Sequence, residues 1–293
     1  MYIIFGSSGF IGRNLTTHLI KKFGQNKIFC VDRKSSSGKF NKIVDLCKNK
    51  LNFNLILPEA KTAYILSAAT RVIYDSVYQE KKQIRINKKI IDNILKILKK
   101  IKIRNIVYFS SSSVYSSFNK KPLNENQKLK PSIALGKSKF YGENKLSEYC
   151  KIKKIKFLSL RIFTVYGPKM SKHQFIPQVI EKIYSKKKKI FFWNKETKRS
   201  FIYIDDLIKI VEKLTLKPLK RHLIINIGGL KLYKVKDVIN IISKITKIKK
   251  KITYLDSKNN FDHIIDFTKF KKTVKRFKFT SLRKGLIKTI NDF

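Results

Sequence analysis

Residues 2–12 read YIIFGSSGFIG. A short apolar run ends in glycine, and Gly6, Gly9 and Gly12 follow at the spacing GxxGxxG before a segment, 11–23, with apolar residues at helical intervals. Each glycine has a separate physical task. Gly6 permits a tight turn, Gly9 lets the backbone approach a pyrophosphate, and Gly12 lets the helix pack closely on the strand it follows. Phe10 and Ile11 open the helix, whose N-terminus offers free N–H groups and the positive end of a dipole. The next apolar run, KIFCVD (27–32), ends in Asp32, twenty residues beyond Gly12. A carboxylate there accepts hydrogen bonds from an adenosine ribose and repels a 2′-phosphate. Arg33 beside it softens that choice, so NAD is favoured over NADP as the cofactor.

Working outward, TAYILSA (62–68), NIVYFSS (105–111) and KFLSLRIF (156–163) read as further strands, with amphipathic helix patterns between them, as at 76–100. Strand–helix alternation at this spacing implies an α/β fold, a Rossmann-type doubly wound parallel sheet with helices on both faces. After TVYGPKM (164–170) the rhythm changes. Residues 174–185, 234–247 and 281–291 read as helices, and IFFW (190–193), SFIYI (200–204), LIINIGG (223–229) and 252–255 as extended segments. The expected organisation is a cofactor-binding domain over 1–164, to which the chain returns around 200–228, and a smaller, interwoven substrate lobe over 165–293.

Composition narrows the classes. The chain has 293 residues, 67 of them Lys or Arg against 19 Asp or Glu, for a net charge of +48. Such charge attracts anions. Only ten of the basic residues are Arg, the residue suited to base and phosphate forks. Lysine runs such as Lys186–Lys189 flank apolar segments and read as solvated helix ends, so no specific nucleic-acid role is expected. No apolar run is long enough for a membrane span, and the N-terminus lacks the features of a signal peptide. Three dispersed cysteines (Cys30, Cys47, Cys150) and four scattered histidines form neither a disulfide framework nor a metal site, which suits the cytoplasm.

GSSGFIG, Asp32, VDL (44–46), LSAAT (66–70), Asn87, VYFSSSSVY (107–115), LRIFTVYGP (160–168), RSFIYIDDL (199–207) and NIGG (226–229) stand in the order seen in extended short-chain dehydrogenases. The chain resembles their NAD-dependent epimerase/dehydratase group, which acts on nucleotide-activated sugars, from residue 2 to about 230. The resemblance implies that Asp45 and Leu46 lie beside the adenine and that Ser67, Ala68 and Ala69 pass under the cofactor. Asn87 braces the active-site backbone, Ser111 hydrogen-bonds the sugar hydroxyl, and Arg199 grips the sugar nucleotide's diphosphate. Thr164 stands where an asparagine often contacts substrate. The acidic pair of the 4,6-dehydratases is replaced by Ser112 and Ser113, which disfavours elimination.

The group also carries a tyrosine and a lysine four apart on the active-site helix. The lysine holds the nicotinamide ribose and lowers the phenol pKa. In PSIALGKSKFYGENK (131–145) two registers compete. One takes Lys139 as that lysine, and then Leu135 replaces the tyrosine. The other takes Tyr141 and Lys145. A helix must recross the sheet before the strand at 156–163 begins, at about 1.5 Å per residue. Lys139 leaves room for about three turns and Lys145 too little, which favours Lys139 and a missing tyrosine. A replacement base, Tyr74 or Tyr78 among the candidates, stays open. The expected activity is epimerisation or keto-reduction of a nucleotide sugar with NAD(H), in surface-polysaccharide or glycan precursor synthesis. The alternative is a dinucleotide- or sugar-nucleotide-binding protein with little turnover. A homodimer is left open.

Overall fold

The computed structural model describes residues 1–34, 40–48, 58–66, 77–115, 122–216, 222–256, 262 and 264–293. The first strand, β1 (Tyr2–Phe5), leads into α1 (Phe10–Phe23), and β2 (Ile28–Asp32) and β3 (Phe40–Ile43) follow. Then come β4 (Ala60–Ile65), α2 (Val77–Leu98), β5 (Ile103–Ser111), α3 (Ala134–Ile152) and β6 (Lys156–Ile162). After β7 (Thr164–Tyr166) the chain forms α4 (Phe175–Tyr184), β8 (Lys189–Trp193), β9 (Lys198–Tyr203), α5 (Ile204–Leu216) and β10 (His222–Ile227). The last elements are β11 (Leu232–Lys234), α6 (Val235–Thr246), β12 (Lys251–Leu255), α7 (Thr268–Val274) and α8 (Leu282–Ile290).

Seven strands form one sheet in the order β10-β6-β5-β4-β1-β2-β3, with parallel registers from β3 through β6. That is the doubly wound order, and its direction of winding reverses between β1 and β4. Both faces are covered, and for this reason β1 is apolar at every position and wholly buried. On one face Ile3, Phe5, Val31, Ala63, Ile65, Ile106 and Tyr108 meet Ile90, Ile91, Ile94 and Leu98 of α2 and Leu146 and Cys150 of α3. The alternate positions face α1 and α5, where the Tyr64 hydroxyl donates to Thr215 Oγ1 at 3.3 Å. Glu212 of α5 pairs with both His18 and Lys22 of α1.

The chain divides into two compact units. One comprises 1–116, 128–162 and 210–225; the other comprises 117–127, 163–209 and 226–293. Within the second, β11, β9 and β7 form a three-stranded sheet, and β12 pairs with β8 in parallel. Several elements of the two units escape the sequence reading. β3, β7 and β11 are three or four residues long and owe their extension to long-range pairing. The SFIYI strand hands over to α5 at Ile204, so Asp205 and Asp206 begin a helix, where their charge suits the dipole.

Candidate active site

The glycine loop at the start of α1 is one end of the candidate site. A Cβ on Gly12 would lie 2.0 Å from the Gly6 carbonyl oxygen, so only glycine lets α1 begin this close to β1. Gly9 is the N-cap residue, no side chain caps the helix, and its first turn holds no acidic residue. The amides of Phe10, Ile11 and Gly12 therefore precede the first intrahelical bond, from Arg13 N to Gly9 O. Asp32, at the end of β2, braces the loop: its Oδ2 accepts from Ser8 N and Ser8 Oγ, each at 2.8 Å, and its Oδ1 from Arg33 N at 2.6 Å.

Between these groups lies a cavity of about 190 Å³. Gly6, Gly9, Asp32 and Arg33 make its polar side, and Val44, Leu46, Leu66 and Ile90 its apolar side. Asp45 turns the segment after β3, its Oδ1 accepting from Cys47 N at 2.9 Å. Anion-binding amides, a carboxylate and an apolar slot are the donor set that an adenosine diphosphate moiety requires, so the residues present fit a dinucleotide. Ser8, Val44 and Ile90 are members that sequence reasoning missed. Ser8 stood inside the quoted motif, whereas Ile90 carries the same helical periodicity as any core residue of α2.

The second cluster lies where β5 ends. Ser111 begins a 3-10 turn over Ser112–Val114, and its hydroxyl donates to Ser113 Oγ at 3.2 Å while accepting from Ser113 N at 3.1 Å. The start of α3 rests on this turn. A Cβ on Gly136 would lie 2.0 Å from the Ser113 carbonyl oxygen. Lys139 follows at 7% exposure, its Nζ 5.1 Å over the ring of Tyr108. Burial pushes its pKa down to about 8. Tyr108 donates to the Lys139 carbonyl at 3.4 Å, and burial drives its phenol pKa upward, so it is no ready phenolate. Asn87 donates to Ser138 Oγ at 3.2 Å, and that hydroxyl donates to Ala134 O. Leu135, half-buried, stands one turn before Lys139.

Glu143, one turn beyond Lys139, is committed elsewhere. It receives Arg161 Nη2 at 2.5 Å, Arg161 Nε at 3.3 Å and Ser159 Oγ at 2.9 Å, both partners of the pair being 3% exposed. Arg161 Nη1 also donates to the Tyr115 hydroxyl at 3.0 Å. The competing tyrosine has another partner: Tyr141 donates to Asp92 Oδ1 of α2 at 2.6 Å, and burial together with that bond pushes its pKa up to about 12. Lys145 is exposed, 4.0 Å from Glu148.

In the second unit, Thr164 opens β7, half-buried, opposite Phe201. Arg199 lies on β9 opposite Tyr233; burial lowers its pKa and the charge of Asp262 opposes the shift. Ser67, Ala68, Ala69 and Tyr74 lie outside the described residues. Tyr78 is 72% exposed. Among the described residues no three His, Cys, Asp or Glu side chains gather as a metal site, and no helix is long and apolar enough to cross a membrane.

A glycine loop and a carboxylate-ended second strand, at the first strand of a sheet ordered β3-β2-β1-β4-β5-β6-β10, define a dinucleotide-binding α/β protein. The chain belongs to the NAD dependent epimerase/dehydratase family, whose family model matches residues 2–228. A dTDP-D-glucose 4,6-dehydratase of Dictyostelium discoideum is 26% identical over 231 residues, 70% of this chain and 53% of that protein. An uncharacterised UDP-glucose epimerase of Bacillus subtilis is 29% identical over 205 residues, 68% of this chain and 64% of its own length. The chain thus matches between half and two thirds of the length of these two relatives. The UDP-glucuronic acid 4-epimerase of Bacillus cereus, solved with UDP-glucuronic acid and NAD, superposes with a TM-score of 0.84 at 23% identity, over 99% of this chain and 98% of that one. At that identity the likeness is one of fold.

Proposed function

We propose that this protein is a cytoplasmic, NAD-dependent epimerase or keto-reductase of a nucleotide sugar, supplying surface-polysaccharide or glycan precursors, with Leu135 in place of the family's tyrosine. The observation that carries the reading is the buried Lys139, on the helix whose start rests on the turn that follows Ser111, in the same unit as the glycine-loop cavity. NAD, when bound, supplies the hydride acceptor. The amides of Phe10, Ile11 and Gly12 hold its pyrophosphate, and Asp32 the adenosine ribose hydroxyls. Asp45 and Leu46 face the adenine, and Asn87 steadies α3 through its bond to Ser138. In the first unit, Lys139 would hold the nicotinamide ribose and Ser111 would orient the sugar hydroxyl. Thr164 and Arg199 are proposed as contacts to sugar and diphosphate on the family resemblance alone. The surroundings of each candidate support the Lys139 register. Tyr141 is engaged with Asp92 and Lys145 lies in solvent, whereas Lys139 is enclosed.

Leu135 favours a second reading: a protein that binds dinucleotide and sugar nucleotide with little turnover. A leucine can neither hold nor release a proton, and a lone serine is a poor base near neutral pH. Identification of the ligand that copurifies with the protein, followed by turnover assays with UDP-, GDP- and dTDP-sugars, separates the two. Turnover with any of them supports the enzyme. Tight binding of NAD without turnover supports the binding protein, and failure to bind NAD overturns both.

A further inference from the structure

We infer that Asn93 is a positioning residue that sets the cofactor site's selectivity for adenine, by clamping the segment after β3 that walls the cavity. The inference deepens the cofactor reading above and rests on it. That wall is made by Val44, Leu46 and Cys47 on a short segment, and by Ile90 of α2. The segment's own bonds are local or run to β2: Val44 N donates to Asp32 O at 2.8 Å, Cys47 N to Asp45 Oδ1 at 2.9 Å, and Lys48 N to Asp45 O at 3.2 Å. None of these three fixes it against the helix that completes the slot. Asn93 does so. Its Nδ2 donates to Leu46 O and to Lys48 O, each at 2.9 Å, from a side chain only 1% exposed.

The amide's orientation is fixed by its two acceptors. Both hydrogens of Nδ2 are used, and a flipped amide would set Oδ1 against two carbonyl oxygens. Oδ1 itself is buried with no hydrogen-bond partner among the described residues. A buried acceptor left unpaired is unfavourable. The side chain is therefore held for its two donors alone, and aspartate, which has none when ionised, could not replace it. Ile90 lies one turn earlier on the same face of α2, so one helical face provides both the apolar wall and the clamp. With the clamp in place, Leu46 keeps a fixed position in the cavity wall, and its neighbour Asp45, which the proposed function sets beside the adenine, is held with it. A carboxylate there accepts from the 6-amino group of adenine and repels the 6-oxo group of hypoxanthine.

The test compares the unmodified protein with Asn93→Ala and Asn93→Ser, titrated with NAD, nicotinamide hypoxanthine dinucleotide and nicotinamide mononucleotide. Amide hydrogen exchange over residues 44–48 is followed in the ligand-free protein. The expected result is a loss of about tenfold in NAD affinity, the scale of one hydrogen bond. The adenine-to-hypoxanthine preference should fall toward one, mononucleotide affinity should hold, and exchange should quicken at 44–48 alone. An unchanged preference in a folded variant, an equal loss for the mononucleotide, or unchanged exchange at 44–48 overturns the clamp. So does unfolding of both variants, which would make Asn93 a general stability residue. If the unmodified protein binds no dinucleotide, the proposed function falls, while the exchange measurement still judges the clamp.

Discussion

The starts of α1 and α3 are built alike. Each helix begins without a side-chain cap, and each carries a glycine whose missing Cβ leaves room for a carbonyl oxygen, that of Gly6 in one case and of Ser113 in the other. Each also follows a buried strand of the same sheet. They differ in what they present. The start of α1 keeps every polar group that phosphate and ribose require, and the start of α3 presents Leu135 one turn before a buried lysine. The backbone of α3 is held as closely as that of α1, so on the proposed register the difference between the two helix starts lies in one side chain, Leu135.

The sharpest way to break the comparison is Leu135→Tyr. The side chain is half-buried and the change adds a polar tip, so the fold should tolerate it. If only the phenol is missing, reduction of bound NAD with a nucleotide sugar, followed at the nicotinamide absorbance, should rise by about 10²–10⁴-fold. No rise in a folded variant that binds NAD would favour the binding-protein reading. Next in size is the buried ion pair beneath α3. Glu143→Ala leaves the Arg161 charge uncompensated and should cost about 3–5 kcal/mol of stability in urea unfolding.

Lys139 sharpens the comparison through pH. Its pKa is lowered from 10.5 to about 8 in the folded protein. Between those values the unfolded chain binds more protons, so the stability of the ligand-free protein should rise with pH across that window. Below pH 8 the full penalty stands, on the order of 3 kcal/mol. Lys139→Met should therefore be the more stable protein at pH 7, with an advantage that shrinks between pH 8 and 10.5, and should bind NAD more weakly. A gap that does not change with pH would remove the desolvation account. At the other helix, Asp32→Ala should lower the NAD-to-NADP affinity ratio about tenfold, read by titration calorimetry. Tighter NADP binding by the unmodified protein would make Arg33 the selecting residue. Smallest of all, Tyr141→Phe should leave any turnover unchanged and cost only about 0.5–1.5 kcal/mol of stability through the lost bond to Asp92. If it abolished an existing activity, the Lys139 register would be wrong.

The legible parts of this molecule were those written locally. Strand, glycine loop, helix and Asp32 lie within 32 residues, and their spacing alone implies the sheet they open. Parts defined by distant partners were not. β7 and β11 are extended because β9 lies between them, and no pattern in three residues announces that. Tyr141 stands in the sequence as one of two register candidates, and its bond to Asp92, on a separate helix 49 positions away, cannot be read there. Asn93 and Ile90 read as ordinary members of an amphipathic helix, since periodicity distinguishes an inward face but not a cavity wall from a core.

The sheet's far edge has a consequence for how the protein is made. β6 ends at Ile162, but the strand that pairs with it, β10, begins only at His222, about 60 residues later. A ribosome adding about 5–20 residues per second needs several seconds to deliver it. During that interval one side of β6 is a nascent edge with no neighbour, open to a strand from another chain. Completion of the cofactor-binding unit waits until residue 225 has been synthesised, so release of the chain before that point would yield an aggregation-prone fragment rather than a working domain.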